Sequence, residues 1–168
     1  MVGGSIGKTQ GLFGLRAEAA FFPKKYVMSS DIDHNYGLYT TEQLLSGIAI
    51  DYFGIRDAML TFQWFADYMK GARGESKLGR NNLTNTATIS LTKYMMNQRI
   101  ELETFAAYRI NEKAMLVDIR TSYLLKDNFK IWLGGDLFTG NNKGLIGFYA
   151  KRDRFSIGME WGLQSKSN

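Results

Sequence analysis

Apolar and polar residues alternate with a period of two along most of this 168-residue chain. The clearest run is residues 99–110, where Ile100, Leu102 and Tyr108 alternate with Glu101 and Glu103. Successive side chains of a β-strand point to opposite faces of a sheet, whereas a helix would mix these two sets. The alternation therefore predicts an all-β chain whose strands are apolar on one face and polar on the other.

Eight segments follow this pattern, and the connections between them alternate in length. The predicted strands lie within residues 11–22, 47–52, 60–68, 83–94, 99–110, 115–125, 129–138 and 155–163. The connections 53–57, 95–98 and 126–128 are short, whereas 23–42, 70–82 and 139–153 are long. We predict an antiparallel up-and-down β-barrel over residues 11–163, with a flexible N-terminus at 1–10 and a polar tail at 164–168.

Strand length and aromatic placement indicate a transmembrane barrel. The predicted strands approach the roughly 9–11 tilted residues that cross a bilayer. Aromatic side chains stand toward strand ends on the apolar face, as the interfacial girdles of such barrels require: Tyr52, Trp64, Tyr68, Tyr108, Tyr123 and Trp161. No apolar run is long enough for a transmembrane helix. We therefore expect a bacterial outer-membrane protein with short turns and both termini in the periplasm.

Charged residues recur on the face opposite the apolar set, which we predict to line the lumen. They are Arg16, Glu18, Asp51, Asp67, Glu101, Glu103, Arg109, Asp118, Arg120, Lys130, Asp136 and Glu160. The interior of a closed eight-stranded barrel is filled by side chains, so such charges would form an internal salt-bridge lattice there. In a wider pore they favour cations, because acids outnumber bases.

The short connection after residue 110 predicts a specific register. If Asn111 and Glu112 form a two-residue hairpin turn, counting back along both strands places Glu103 directly opposite Arg120. Both side chains then point into the lumen, close enough for a charge-assisted hydrogen bond.

Residues that carry catalytic chemistry are scarce. The chain has no Cys and one His, which leaves little for a transition-metal site. His34 has Ser29, Ser30, Asp31 and Asp33 nearby, a set that could serve acyl transfer in a lipid-modifying enzyme only if folding brings it together. We expect a solvated polar loop, no catalytic residues, no cofactor and no metal. The net charge of +5 is scattered over predicted loops, so we expect no nucleic-acid partner.

The C-terminal half resembles a known family. Residues 82–163 contain "TNTATISLTKYMMNQRIELETFAAYRI", "AMLVDIRTSYLLKDNFKIWLGGDLFTG" and "AKRDRFSIGMEWGL", and "GIAIDYFGIRDAMLTFQWFADY" precedes them. These segments, over roughly residues 44–163, resemble the C-terminal strands of large proteobacterial outer-membrane β-barrels of an uncharacterised family. The resemblance implies an outer-membrane location, contact with its lipids and with the barrel-assembly machinery, and further strands or chains completing a larger barrel.

The leading functional hypothesis is a non-enzymatic barrel that acts as a pore or transport conduit, or as a structural part of one. A soluble calycin-like barrel that binds a small apolar ligand is one alternative, and it requires the apolar set to face inward. An outer-membrane lipid-modifying enzyme based on His34 is the other.

Overall fold

The computed structural model describes residues 1–28, 38–71, 81–126, 128–141 and 144–162. They form nine strands and one short helix: β1 (Val2–Gln10), β2 (Phe13–Met28), β3 (Leu38–Tyr52), β4 (Ala58–Met69), β5 (Leu83–Met95), β6 (Ile100–Arg109), β7 (Ala114–Lys126), β8 (Phe129–Thr139), α1 (Gly144–Gly147) and β9 (Arg154–Trp161). The predicted polar tail at 164–168 and the loop containing His34 lie outside the described residues.

All nine strands belong to one sheet in which each strand pairs antiparallel with the next along the chain. This confirms the all-β antiparallel meander. The outer strands β1 and β9 do not pair with each other in this sheet, so it remains open. The prediction was a barrel of about eight strands, alone or as part of a larger one, and the structure instead shows an open sheet of nine strands.

The additional strand is β1, which replaces the predicted flexible N-terminus. It pairs with β2 from Val2 opposite Phe21 to Gln10 opposite Phe13. Gly11, with φ of +58°, makes the tight turn between them, because glycine adopts positive φ without steric cost. With an odd number of strands, Val2 and Trp161 lie at opposite ends of the sheet. The prediction that both termini share one side is therefore wrong for these strand ends.

Strands β2 and β3 extend into the predicted long loop at 23–42. The ladder continues past Phe22 opposite Gln43 to Lys25 opposite Thr41, with an irregularity between them. Pro23 sits in this bulge, where a residue without an N–H group is tolerated because ladder hydrogen bonds are already interrupted. Much of the predicted loop is therefore strand.

The two faces of the sheet differ in chemistry and in burial. We call the face that carries Arg16, Asp51 and Glu103 the polar face, and the opposite one the apolar face. Every buried strand residue lies on the polar face, whereas the exposed large hydrophobic strand residues lie mainly on the apolar face. In a single-layer sheet, side chains shield one another on the concave side and diverge on the convex side. We infer that the polar face is concave.

Helix α1 packs on the polar face, against β7 and β8. Its residue Ile146 joins a buried apolar cluster with Ala107, Ala114 and Phe138. Among the described residues, no helix is long and apolar enough to cross a membrane.

Candidate functional site: the polar face

The twelve charged residues predicted to share one face do share it. Register connects them from strand to strand, since Asp51 faces Thr61, Phe105 faces Asp118 and Asp118 faces Asp136. Alternation within each strand then places the remaining members on the same side. The polar face is therefore a continuous surface that carries charged side chains on β2 to β4 and on β6 to β9, with uncharged polar residues on β5 between them.

A buried carboxylate organises the β2–β4 part of this surface. Asp51 is only 8% exposed, and its oxygens accept hydrogen bonds from Arg16 Nη2 at 3.1 Å and from Thr61 Oγ1 at 2.7 Å. The Arg16 guanidinium also lies 3.1 Å from the second carboxylate oxygen. A buried carboxylate needs such donors because they replace the water that it has lost. The register places Thr61 opposite Asp51 on the neighbouring strand, so this hydroxyl donor is held beside the carboxylate.

A second cluster spans three strands, β6 to β8. The ammonium of Lys130 lies 2.9 Å from Glu101 Oε2, reaching over the intervening strand, and Ser122 Oγ donates to the same oxygen at 3.4 Å. Tyr94 faces Glu101 directly from β5. A contact between strands that are not neighbours is favoured by curvature toward the polar face.

The predicted register between β6 and β7 is confirmed, since Glu103 lies directly opposite Arg120 and Tyr108 opposite Met115. The predicted hydrogen bond between Glu103 and Arg120 is not formed. The Arg120 guanidinium instead lies 4.8 Å from the centroid of the Trp132 ring. The indole reaches this position because Gly158, opposite Trp132 on β9, has no side chain to exclude it.

Two acidic residues, Asp118 and Asp136, face each other between β7 and β8. Directly opposed like charges are destabilising, and Arg154 offsets this with its Nε 3.2 Å from Asp136 Oδ2. Arg154 was missed at the sequence level because it lies one residue before the predicted last strand. Its alternation with Ser156 and Glu160 is the signal that places it on this face.

Uncharged polar residues also form hydrogen bonds on the polar face, and the sequence prediction, which was based on charged residues, did not include them. Gln43 Nε2 donates to Asp67 Oδ1 at 2.9 Å, and Thr88 Oγ1 donates to Gln63 Oε1 at 3.2 Å. Both pairs bridge neighbouring strands. They show that the polar face is a hydrogen-bonded surface and not a set of isolated charges.

The remaining predicted residues occupy less connected positions. Arg109 Nη1 lies 3.0 Å from Glu112 Oε2 in the β6–β7 connection. Glu160 faces Lys130 across β8 and β9, and Glu18 lies beside Gly47, opposite it on β3. The lone histidine is outside the described residues, and within them no group of three His, Asp or Glu side chains could hold a metal ion.

The arrangement suits contact with water and ions, because it distributes charge over seven strands without concentrating it around one reactive group. Comparison with known proteins adds nothing to this geometry. No family model, curated protein or solved structure matched the chain. The resemblance to outer-membrane barrels therefore stays a prediction.

Proposed function

We propose that this sheet is part of the wall of an outer-membrane β-barrel that acts as a pore or transport conduit, without enzymatic activity. The observation that carries the proposal is the uncovered apolar face. Ile119, Leu133 and Ile157 are 44%, 46% and 77% exposed. Many other large hydrophobic residues on the same face are exposed as well. Soluble monomers rarely expose contiguous apolar patches above a few hundred Å², whereas lipid hydrocarbon would cover this one.

The strands have lengths that suit a bilayer. The central strands β4 to β8 contain 12, 13, 10, 13 and 11 residues, and a tilted strand needs about 9–11 to cross the hydrocarbon. Each of these strands pairs with a neighbouring strand along both of its edges. Such pairing is obligatory in lipid, which offers no hydrogen-bonding partner.

Aromatic side chains of the apolar face support two interfacial belts. Tyr68 and Tyr108 stand at the end of the sheet with the longer connections, and Tyr123 and Trp161 stand at the end with the tight turns. Trp64, which was predicted for the same girdles, lies in the middle of β4 instead. The two belts are therefore formed by Tyr68 and Tyr108 at one end and by Tyr123 and Trp161 at the other.

The open edges favour a barrel of more than nine strands. Because nine is odd, β1 and β9 run in the same direction, and direct closure would need a parallel pair. Single-chain bacterial outer-membrane barrels have even numbers of antiparallel strands. An odd number of further strands between β9 and β1 would restore that pattern. Such a barrel has a wider interior than the side-chain-filled one of eight strands.

The polar face would then line a water-filled lumen that favours cations. Its predicted members comprise eight carboxylates and four basic residues. Three basic side chains form salt bridges on this face: Arg16 with Asp51, Lys130 with Glu101, and Arg154 with Asp136. Glu103 is left without its expected partner because Arg120 stacks on Trp132. Outer-membrane lipids and the barrel-assembly machinery are the partners that this role requires.

The alternative of a soluble ligand-binding barrel is less well supported. It needs an apolar interior, whereas the inferred concave face is the polar one. A groove of about 290 Å³ over β1–β4 is lined by Arg16, Glu18 and Gln63, among others. Pockets for apolar ligands keep few polar groups, whereas this groove combines these polar side chains with apolar ones such as Ile48 and Phe65.

Cysteine scanning of β7 in lipid vesicles tests the proposal, since the chain contains no native cysteine. We expect a membrane-impermeant thiol reagent to label Asp118→Cys and Arg120→Cys, on the polar face. Val117→Cys and Ile119→Cys, on the apolar face, should remain unlabelled until detergent is added. Planar bilayers should in parallel show discrete cation-selective conductance. Uniform labelling of all four variants, or a monodisperse protein without detergent, would contradict membrane insertion.

A further inference from the structure

The chain after β8 turns back over the polar face. Gly140 has φ of +139°, a conformation that side-chain-bearing residues rarely adopt. A Cβ atom at this position would lie 2.6 Å from the Cα of Ala114, and Ala114 itself is 0% exposed. This close approach brings the connection between β8 and β9 against the start of β7.

The residues that follow, 144–153, form what we call the inward segment. Its helix α1 places Ile146, 9% exposed, in the cluster with Ala107, Ala114 and Phe138. These three partners belong to β6, β7 and β8, and all lie on the polar face. Burial of this isoleucine stabilises the position of the segment on the sheet. The inward segment is therefore held across three neighbouring strands.

The return path toward β9 is anchored as well. The backbone N–H of Lys151 donates to the carbonyl of Phe138 at 3.3 Å, and Asp153 Oδ1 accepts from the N–H of Phe138 at 2.9 Å. The ring of Tyr149 lies 5.6 Å from that of Phe138. With contacts at its helix and along its return, the segment has a defined position and does not extend away from the sheet.

We propose that the inward segment is the constriction of the conduit, at the end of the sheet with the longer connections. This inference rests on the proposed function, because the polar face is the lumen wall only in that role. A helix with its side chains is about 10–12 Å across, so one lying on the inner wall reduces the free cross-section. In some outer-membrane barrels a loop or helix that folds inward likewise occupies part of the lumen and narrows it.

The constriction presents a particular chemistry to solutes. Phe148 is 62% exposed and meets Tyr149 edge to face with ring centroids 5.3 Å apart. The guanidinium of Arg152 lies 5.2 Å from the Phe148 ring centroid. An aromatic surface with the Arg152 cation therefore stands over the polar face of β6–β9, which carries both carboxylates and basic side chains. The segment sets the upper size of the solutes that pass.

Single-channel recording of the full chain in planar bilayers tests this inference. Ile146→Asp places a charge in the apolar cluster and should release the segment. We expect conductance to rise by about twofold or more, as an obstacle about 10 Å wide leaves the lumen, and larger polyethylene glycols to enter the pore. Ile146→Ala, which retains an apolar side chain, should shift both quantities in the same direction by less.

Asn97→Asp is the charge control, because it adds the same negative charge at an exposed position in the β5–β6 turn, at the end of the sheet away from the inward segment. Its conductance should stay within a small factor of wild type. Normal channels whose conductance and polymer exclusion are unchanged in both Ile146 variants would overturn the constriction and leave the conduit intact. Absence of conductance in the wild-type protein would instead refute the conduit, and the constriction with it.

Discussion

Trp132 and Gly158 face each other on the polar face of β8 and β9. A Cβ atom built on Gly158 would lie 2.5 Å from the indole carbons of Trp132, so any side chain there must displace the ring. Displacement also removes the support on which the Arg120 guanidinium rests. A glycine within a strand thus determines the position of two larger residues.

We predict that Gly158→Ala destabilises the folded protein. Overpacking costs about 1–3 kcal/mol, while replacing a strand glycine by alanine returns about 0.5–1 kcal/mol. The net loss should be about 1–2 kcal/mol, measured by urea unfolding in lipid vesicles with tryptophan fluorescence.

The control for this substitution is Gly135→Ala, on the apolar face of β8. A Cβ atom there meets its nearest heavy atom, the carbonyl oxygen of Arg154, at 3.5 Å, which is ordinary contact. This variant should be neutral or slightly stabilised. Equal unfolding free energies for the two variants would mean that the indole moves aside without cost.

The same residues show what the sequence could and could not predict at this scale. The register of Glu103 opposite Arg120 was predictable because it depends on a short turn and on period-two alternation, which are local. The side-chain partner of Arg120 was not. It depends on Trp132 of β8 and Gly158 of β9, which come together with Arg120 only in the folded sheet.

At the scale of one strand, neighbouring residues should respond oppositely to the same substitution. Ile89 lies on the apolar face of β5 and is 48% exposed, whereas Ser90 lies on the polar face opposite Thr61. An arginine at the lipid-facing midplane of a barrel costs about 2–4 kcal/mol. We predict that Ile89→Arg loses this amount of folding free energy in vesicles.

Ser90→Arg is the matched substitution one residue away. Its guanidinium would point toward the polar face, where water and carboxylates are available, so the loss should be well under half as large. Both variants are compared by equilibrium folding into the same lipid. If they cost the same, the assignment of the two faces to lipid and water fails for β5.

Elements with strong alternation were predictable, and those without it were not. Strands β4 to β8 carry apolar residues at most alternate positions, so their existence and faces followed from sequence. β1 reads "VGGSIGKTQ", where glycine and small residues give almost no alternation, and it forms because β2 offers an edge. Helix α1 packs against Ala107 and Ala114, which are distant from it in sequence, and no local pattern predicts it.

At the scale of the whole molecule, the ends of the sheet differ. Tight connections follow β1, β3, β5 and β7, and the longer ones follow β2, β4 and β8. β6–β7 is the short exception among the second group. The inward segment belongs to the end with the longer connections, so any constriction is displaced from the middle of the sheet.

The closing prediction concerns how the two edges are joined. β1 and β9 run in the same direction, and we expect further strands to separate them in the assembled protein. Disulfide formation is tested with Ser5→Cys on β1, combined in turn with Arg154→Cys, Ser156→Cys and Glu160→Cys on β9. Ser5→Cys with Glu18→Cys is the positive control, because these residues face each other between β1 and β2.

We expect the control pair to oxidise within one chain and none of the β1–β9 pairs to do so. The reason is geometric: facing residues on adjacent strands have Cβ atoms about 4.5–5.5 Å apart, whereas each intervening strand adds about 4.8 Å. Mass spectrometry of the oxidised monomer distinguishes the two results. A β1–β9 disulfide within one chain would mean that nine strands close directly through a parallel pair. The lumen would then be little wider than its side chains, and a conduit would be excluded.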